Sequence, residues 1–271
     1  MLKPVIILVS DQTYLPHCRS LFAGCARQGQ WPGDYAIVLP PGLPEKADFE
    51  RRGIFVLEDS EPRHYRKFAV FDEEFAKRFD VCLYLDADVM ISKPLAPLID
   101  EIEWGTVLAD REPFDLMHMF TYWAEAEKLK TDPVLNVFRW LWKNYDPTYF
   151  QFNTSIMGWH PRTLPANLRQ DLLDIRKRIE PAHCHIVNGS DQSVMNLALY
   201  NRFRPVRSRL FSYWEMEGPE TLLVHCCSGL APWLKKPQAA DAVWAPKLGR
   251  LMYDVYHENL AAFEEMFPLG K

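Results

Sequence analysis

Val81-Cys82-Leu83-Tyr84-Leu85-Asp86-Ala87-Asp88-Val89-Met90 is an apolar run that ends in two carboxylates. Val81 to Leu85, five residues without polar alternation, predict a strand covered on both faces, as strands of parallel sheets are. Alternate side chains of an extended chain point the same way, so Asp86 and Asp88 are expected on one side at the strand's C-terminal end. That edge is where open α/β sheets bind ligands. Two anions so close repel, and one takes up a proton unless a cation separates them; a divalent metal with oxygen ligands meets that need. A chain this long yields about one Asp-x-Asp by chance, so the position directly after a strand gives the pair its weight. The plain alternative is a strand-end turn with solvated aspartates.

The surroundings of this stretch predict more of the same sheet. Val5 to Val9, Tyr35 to Leu39 and Gly53 to Leu57 read as strands, with Tyr14 to Gln28 as a helix between the first two. Strands alternating with helices imply a mainly parallel sheet. No Gly-x-Gly-x-x-Gly or P-loop follows the first strand; Ser10-Asp11-Gln12-Thr13-Tyr14 stands there instead. From Pro62 to Phe79, Tyr65, Phe68, Phe71, Phe75 and Phe79 recur at helical spacing and make one core face. Arg63, Arg66 and Lys67 near its start either meet an anion or are ordinary solvated charges. Beyond the Asp pair, Pro94 and Pro97 open a short helix and Gly105 to Ala109 forms a strand that ends at Asp110-Arg111. The aromatics Trp123, Trp140, Trp142 and Tyr149 read first as core and second as sugar-stacking surfaces.

With 271 residues, 48% of them hydrophobic, the chain can bury a real core. Its formal charge of -5 argues against a nucleic-acid partner, since the basic groups at Arg202 to Arg209 and Arg176 to Arg178 are local. Val5 to Val9 is too short for a membrane span or a signal peptide. Six cysteines without CxxC spacing, one of them Cys82 in a buried strand, fit a reduced, cytoplasmic setting. The tail, with Leu248, Leu251, Met252, Val255, Leu260, Phe263 and Phe267, predicts an amphipathic helix that packs on the sheet or meets a partner.

Two polar patterns and one histidine complete the candidate site. Phe152-Asn153-Thr154-Ser155 is a strand with a polar interruption, and Ser190-Asp191-Gln192-Ser193-Val194-Met195-Asn196 is a helix start with Ser190 as its cap. Leu222 to Val224 predicts a strand leading into His225. If that strand shares a sheet edge with Val81 to Leu85, then Asp86, Asp88 and His225 bind one metal, and the imidazole tilts the choice from magnesium toward manganese. His183-Cys184-His185 suggests zinc but lacks a second ligand pair.

Taken in order, Ser10 to Tyr14, Tyr65-Arg66-Lys67-Phe68, Leu83 to Asp88, Phe152 to Ser155, Asp191 to Asn196 and His225 to Trp233 resemble glycosyltransferase family 8, the retaining nucleotide-sugar transferases that include glycogenin and lipopolysaccharide galactosyl- and glucosyltransferases. The resemblance implies a GT-A fold over residues 1–271. Residues 1–110 would form the nucleotide-binding half, 111–235 the acceptor and donor-sugar half, and 240–271 a C-terminal helix. It implies that Ser10, Asp11 and Tyr14 line a uracil and ribose pocket, and that Lys67 or Arg66 contacts the donor. Asp86, Asp88 and His225 would hold Mn2+ or Mg2+ against the diphosphate, with Ala87 between them at the nucleotide. Asn153, Asp191 and Gln192 would face the donor sugar and reacting carbon, Gln192 orienting rather than acting as a base, and Asp110 would also touch the sugar. The implied partners are a UDP-sugar donor and a carbohydrate or glycoconjugate acceptor, with a homodimer as a further expectation.

The chain departs from the family pattern at four positions. Ser228 and Ala231 replace a glycine and a diphosphate-binding lysine, Ser193 an aspartate, and Ser155 a glycine. Losing such a charge-assisted contact removes about 1.5–3 kcal/mol, unless Lys235 or Lys236 reaches in. Three rivals follow: a non-catalytic sugar-nucleotide or glycan-binding relative, a sugar-phosphate nucleotidyltransferase, for which Ser10 to Tyr14 lacks the Gly-rich basic loop, and a zinc hydrolase using His183, His185 and His225.

Overall fold

Pro4–Val9 (β1) carries six residues with hardly a polar atom among their side chains, and it lies buried between Asp34–Leu39 (β2) and Val81–Leu85 (β4), parallel to both. This is the environment that unbroken apolar runs require. The computed structural model describes residues 2–62, 64–116, 118, 132–180, 191–205, 211–213, 222–225 and 246–270. Phe55–Glu58 (β3) adds to β2, again in parallel. On the other side of β4 the direction reverses: Phe150–Trp159 (β7) pairs with it antiparallel, then with Val107–Asp115 (β6), and Phe203–Pro205 (β8) closes the seven-stranded order β3-β2-β1-β4-β7-β6-β8. A second, three-stranded sheet runs Val89–Ile91 (β5), Leu223–His225 (β10) and Phe211–Tyr213 (β9), in the order β5-β10-β9.

Helices cover both faces of the large sheet. Leu15–Arg27 (α1) turns Leu15, Cys18, Leu21, Phe22 and Cys25 inward, beside Ile6, Leu8 and Leu83. Glu45–Arg51 (α2) and Ala96–Glu101 (α4) flank it. Asp132–Asn144 (α5), Leu168–Ile179 (α6) and Asp191–Ala198 (α7) cover the opposite face, where Phe68, Phe75, Tyr84, Phe152 and Trp159 form the other core. Pro246–Met266 (α8) is the expected amphipathic helix, and it lies against α1. Ser20 Oγ donates to Tyr256 O at 3.0 Å, and Arg27 and Gln28 both donate to Asn259 Oδ1. Gly24 permits this approach, since a Cβ there would stand 2.9 Å from Asn259 Nδ2.

Several local expectations change. The stripe from Pro62 to Phe79 is two pieces, a 3-10 run Tyr65–Phe71 and the helix Glu73–Arg78 (α3). Asp72 separates them because it is extended and its carboxylate caps Glu74 N at 3.0 Å. The strand expected over Gly105 to Ala109 continues to Asp115, so residue 110 falls inside β6. The first helix begins as a 3-10 turn, Gln12–Tyr14, capped by Asp11. Trp140 packs on the core while Trp142 is 56% exposed. Arg63, Trp123, His183 to Ser190, the cluster from residue 206 to Arg209, and Cys226 through Lys236, with Ser228 and Ala231, lie outside the described residues.

Candidate active site

At the C-terminal end of β4 the chain turns rather than continuing as a strand. Asp86 N donates to Ser155 O at 2.7 Å and Val89 N to Asp86 O at 3.2 Å, so Ala87 and Asp88 form a turn that carries the chain from the large sheet into the small one. The two carboxylates converge through this turn, not through strand alternation. His225 reaches them by a different route from a shared sheet edge: β10 belongs to the small sheet, and its antiparallel register sets His225 opposite Val89, next to Asp88. His225 Nε2 stands 3.4 Å from Asp88 Oδ1. One ligand atom from each of Asp86, Asp88 and His225 lies within 4.8 Å of the others.

Asp86 is strongly held. Lys67 Nζ lies 3.0 Å from its Oδ1, and the Tyr84 hydroxyl donates to the same oxygen. Burial works against the charge, yet Lys67 and the Tyr84 hydroxyl keep the Asp86 carboxyl below the usual carboxylate range. Burial also disfavours the Lys67 ammonium, but Asp191 and Asp86 outweigh it and raise its pKa. The 3-10 segment after β3 supplies Lys67, and the first turn of α7 supplies Asp191, whose Oδ2 is 2.7 Å from Nζ. Thr154 Oγ1 donates to that same Asp191 oxygen at 3.2 Å.

The polar interruption of β7 joins these groups. Ser155 Oγ lies 3.0 Å from His225 Nε2, and Ser155 N donates to Asn153 Oδ1 at 2.8 Å. Asn153 Nδ2 in turn donates to Glu112 Oε1 at 2.9 Å. Asp110 is the register partner of Asn153, at a bulge between β6 and β7. Burial first, then the neighbouring Glu112, push its pKa up to about 6. Asn196 fastens α7 to β7 by accepting from Phe152 N at 2.8 Å and donating to Phe152 O at 2.9 Å. These two bonds hold α7 beside β7, with Asp191 against Thr154.

At the end of β1, Ser10 is buried and Asp11 caps the following turn by accepting from Thr13 N and Tyr14 N. The rings of Tyr14, His17 and Tyr256 follow one another at centroid distances of 5.2 and 5.3 Å. His17 also lines a cleft with Ala87, Val89 and Asn259. Burial pulls its pKa down to about 4 against the attraction of Asp88. Arg66 and Lys67 have different surroundings: the Arg66 guanidinium donates to the carbonyls of Ser10, Asp59 and Glu61, whereas Lys67 reaches the acidic centre.

The donor set suits a divalent cation. Two carboxylates and one imidazole converge, and Asp88 Oδ1 is buried with no hydrogen-bond partner among the described residues. A buried anion oxygen in that state is costly. Oxygen ligands fit Mg2+ or Mn2+, and the nitrogen favours Mn2+. The sequence reading missed Tyr84, Thr154 and Glu112, and it named Asn196 only as a helix residue. Tyr84 sits two residues before Asp86, on the same face of the strand, which is the one signal that pointed to it.

A large mixed sheet, parallel from β3 through β2 and β1 to β4, with an Asp-x-Asp turn leading into a small sheet, is a GT-A fold. Among solved structures it is shared with the glycosyltransferase GlyE of Streptococcus pneumoniae TIGR4 (14% identity, TM-score 0.62, covering 98% of this chain and 65% of that one). It is also shared with the bifunctional glycosyltransferase WbbM (12%, 0.58, 99% and 52%). The galactosyltransferase LgtC in complex with donor and acceptor sugar analogs gives 13%, 0.59, 92% and 95%. The chain therefore spans 65% and 52% of the lengths of GlyE and WbbM. No protein-family model matches the chain, and no curated protein sequence matches it.

Proposed function

We propose that this chain is a metal-dependent, retaining glycosyltransferase that moves a hexose from a UDP-sugar to a hydroxyl of a carbohydrate or glycoconjugate acceptor, in glycoconjugate or polysaccharide assembly. The observation that carries the reading is the convergence of Asp86, Asp88 and His225 at the ligand-binding edge of a GT-A sheet, with Asp88 Oδ1 buried, 3.4 Å from His225 Nε2 and without a hydrogen bond among the described residues. The resemblance of Ser10 to Tyr14, Lys67, Asn153, Asp191 and Gln192 to family 8 motifs supports the donor and the stereochemistry. A cytoplasmic setting and a homodimer remain expectations of the same reading. No helix among the described residues is long and apolar enough to cross a membrane.

On this reading Asp86, Asp88 and His225 hold Mn2+ or Mg2+, which supplies Lewis acidity that offsets the charge of a departing diphosphate. Lys67 and Tyr84 keep Asp86 ionised and fixed in direction, so the ligand is preorganised. Ser155 Oγ and Asp88 face the same His225 nitrogen, so a cation bound through Nε2 would take the place of the Ser155 contact. Asp11, Ser10, Ala87 and Tyr14 bound the nucleotide, while Asn153, Asp110, Asp191 and Gln192 bound the sugar. Gln192 orients the reacting carbon. The departing phosphate oxygen takes the acceptor proton, so no carboxylate nucleophile is required.

Calorimetry with UDP, UDP-glucose, UDP-galactose and UDP-N-acetylglucosamine, in manganese and again in chelator, tests this. Metal-dependent binding that disappears in Asp88→Ala is expected, and no binding to any uridine nucleotide would overturn it. Ala231, in place of the family's diphosphate lysine, favours a second reading, a sugar-nucleotide binder without turnover. Donor hydrolysis or transfer separates the two.

A further inference from the structure

Asn153 is fixed at both ends of its amide: Oδ1 accepts from Ser155 N and Nδ2 donates to Glu112 Oε1. The backbone of β7 therefore dictates one end of this side chain and Glu112 the other. Glu112 is half-buried, and so is Asp110, two residues earlier on β6 and opposite Asn153. Asp110 lies opposite Asn153 in the register and Glu112 bonds its amide, so both carboxyl groups stand beside Asn153. An ionised carboxylate accepts hydrogen bonds and does not donate them. A wall built this way matches a ligand that presents O–H or N–H groups and opposes one that brings another carboxylate.

We propose that Glu112 is a specificity-determining residue for the donor sugar: it sets the Asn153 amide and, with Asp110, admits an uncharged or amino hexose while excluding a hexuronate. The proposal rests on the glycosyltransferase reading and deepens it by naming the sugar class. No covalent step is assigned to Glu112.

The test titrates UDP, UDP-glucose, UDP-galactose and UDP-glucuronate into the intact protein with manganese, comparing the wild type with Glu112→Gln and Asp110→Asn. UDP alone serves as the reference ligand in each protein. In the wild type the better of the two neutral donors should bind at least about tenfold more tightly than the uronate, because the uronate meets a like charge in a partly buried place. Glu112→Gln keeps an oxygen for Asn153 Nδ2 and removes the charge, so the discrimination should narrow about tenfold; Asp110→Asn should narrow it in the same direction. A ratio between neutral and uronate donors that is equal in the wild type and both variants overturns the proposal, as does a wild type that prefers the uronate. Failure of UDP itself to bind the wild type overturns the transferase reading instead, and this proposal with it.

Discussion

Lys67 Nζ lies 2.7 Å from Asp191 Oδ2, and this single ion pair joins the segment that follows β3 to the first residue of α7. The same ammonium touches Asp86, so one buried cation neutralises a candidate metal ligand and a group expected at the sugar.

Lys67→Met leaves Asp86 and Asp191 without their common cation. Breaking a buried ion pair of this kind costs roughly 3–5 kcal/mol, so chemical denaturation in chelator should show a loss of that size. Manganese brings a positive charge back to Asp86, and the melting temperature of the variant should therefore rise more on adding Mn2+ than that of the wild type.

Asp88→Asn removes a charge whose Oδ1 has no hydrogen-bond partner among the described residues. Stability in chelator should be unchanged or increased. Mn2+ affinity, followed by electron paramagnetic resonance, should fall by at least roughly a hundredfold, because Asp88 is a proposed direct ligand and outer-shell substitutions alone cost about 10–100-fold.

The pKa of Asp110, raised to about 6, has a definite pH signature. Below an unfolded value of 3.8 both states are protonated and the residue is neutral for stability. Above it the unfolded chain ionises first, and the folded state loses ground until pH passes 6. Asp110→Asn should thus stabilise the protein by about 1–2 kcal/mol near pH 7.5 after solvent screening is allowed for, with little effect below pH 4. Urea titrations at the two pH values measure the difference.

His17 works in the opposite window. Burial lowers its pKa from 6.5 to about 4, so the folded state holds it neutral. Its environment carries no penalty above pH 6.5, and stability drains away as pH falls from there to 4, because only the unfolded chain takes the proton. His17→Gln should remove about 2–3 kcal/mol of acid sensitivity between those limits, seen as an acid-unfolding midpoint moved to lower pH.

Asn196→Ala strands the buried N–H and C=O of Phe152, which the amide now satisfies together. A loss of about 2–4 kcal/mol is expected from the two unmet groups. Asn196→Asp, which can still accept from Phe152 N but cannot donate to its carbonyl, should lie between the variant and the wild type in a thermal melt.

The strands and the acidic turn were legible because apolar runs such as Val5–Val9 and Val81–Leu85 depend on burial alone. Lys67, Asp86, Asp191 and His225 were all named from the chain, and the structure brings them together. Asp86 and Asp88 converge through a turn and not through strand alternation, and turn geometry leaves no periodic trace. The break at Asp72 was hidden by the aromatic stripe on either side of it. Arg66, committed to three carbonyls, and Glu112, bonded to Asn153, depend on contacts between distant parts of the chain. Composition and spacing carry no record of such contacts.

The pairing of β10 with β5 has a temporal side as well. A ribosome releases Asp86 and Asp88 long before His225, so a growing chain first exposes a carboxylate turn with oxygen chemistry only. The imidazole joins when β10 zips onto β5, a late, long-range closure. On the proposed reading, the single nitrogen ligand would therefore join the two carboxylates only once β10 has paired with β5.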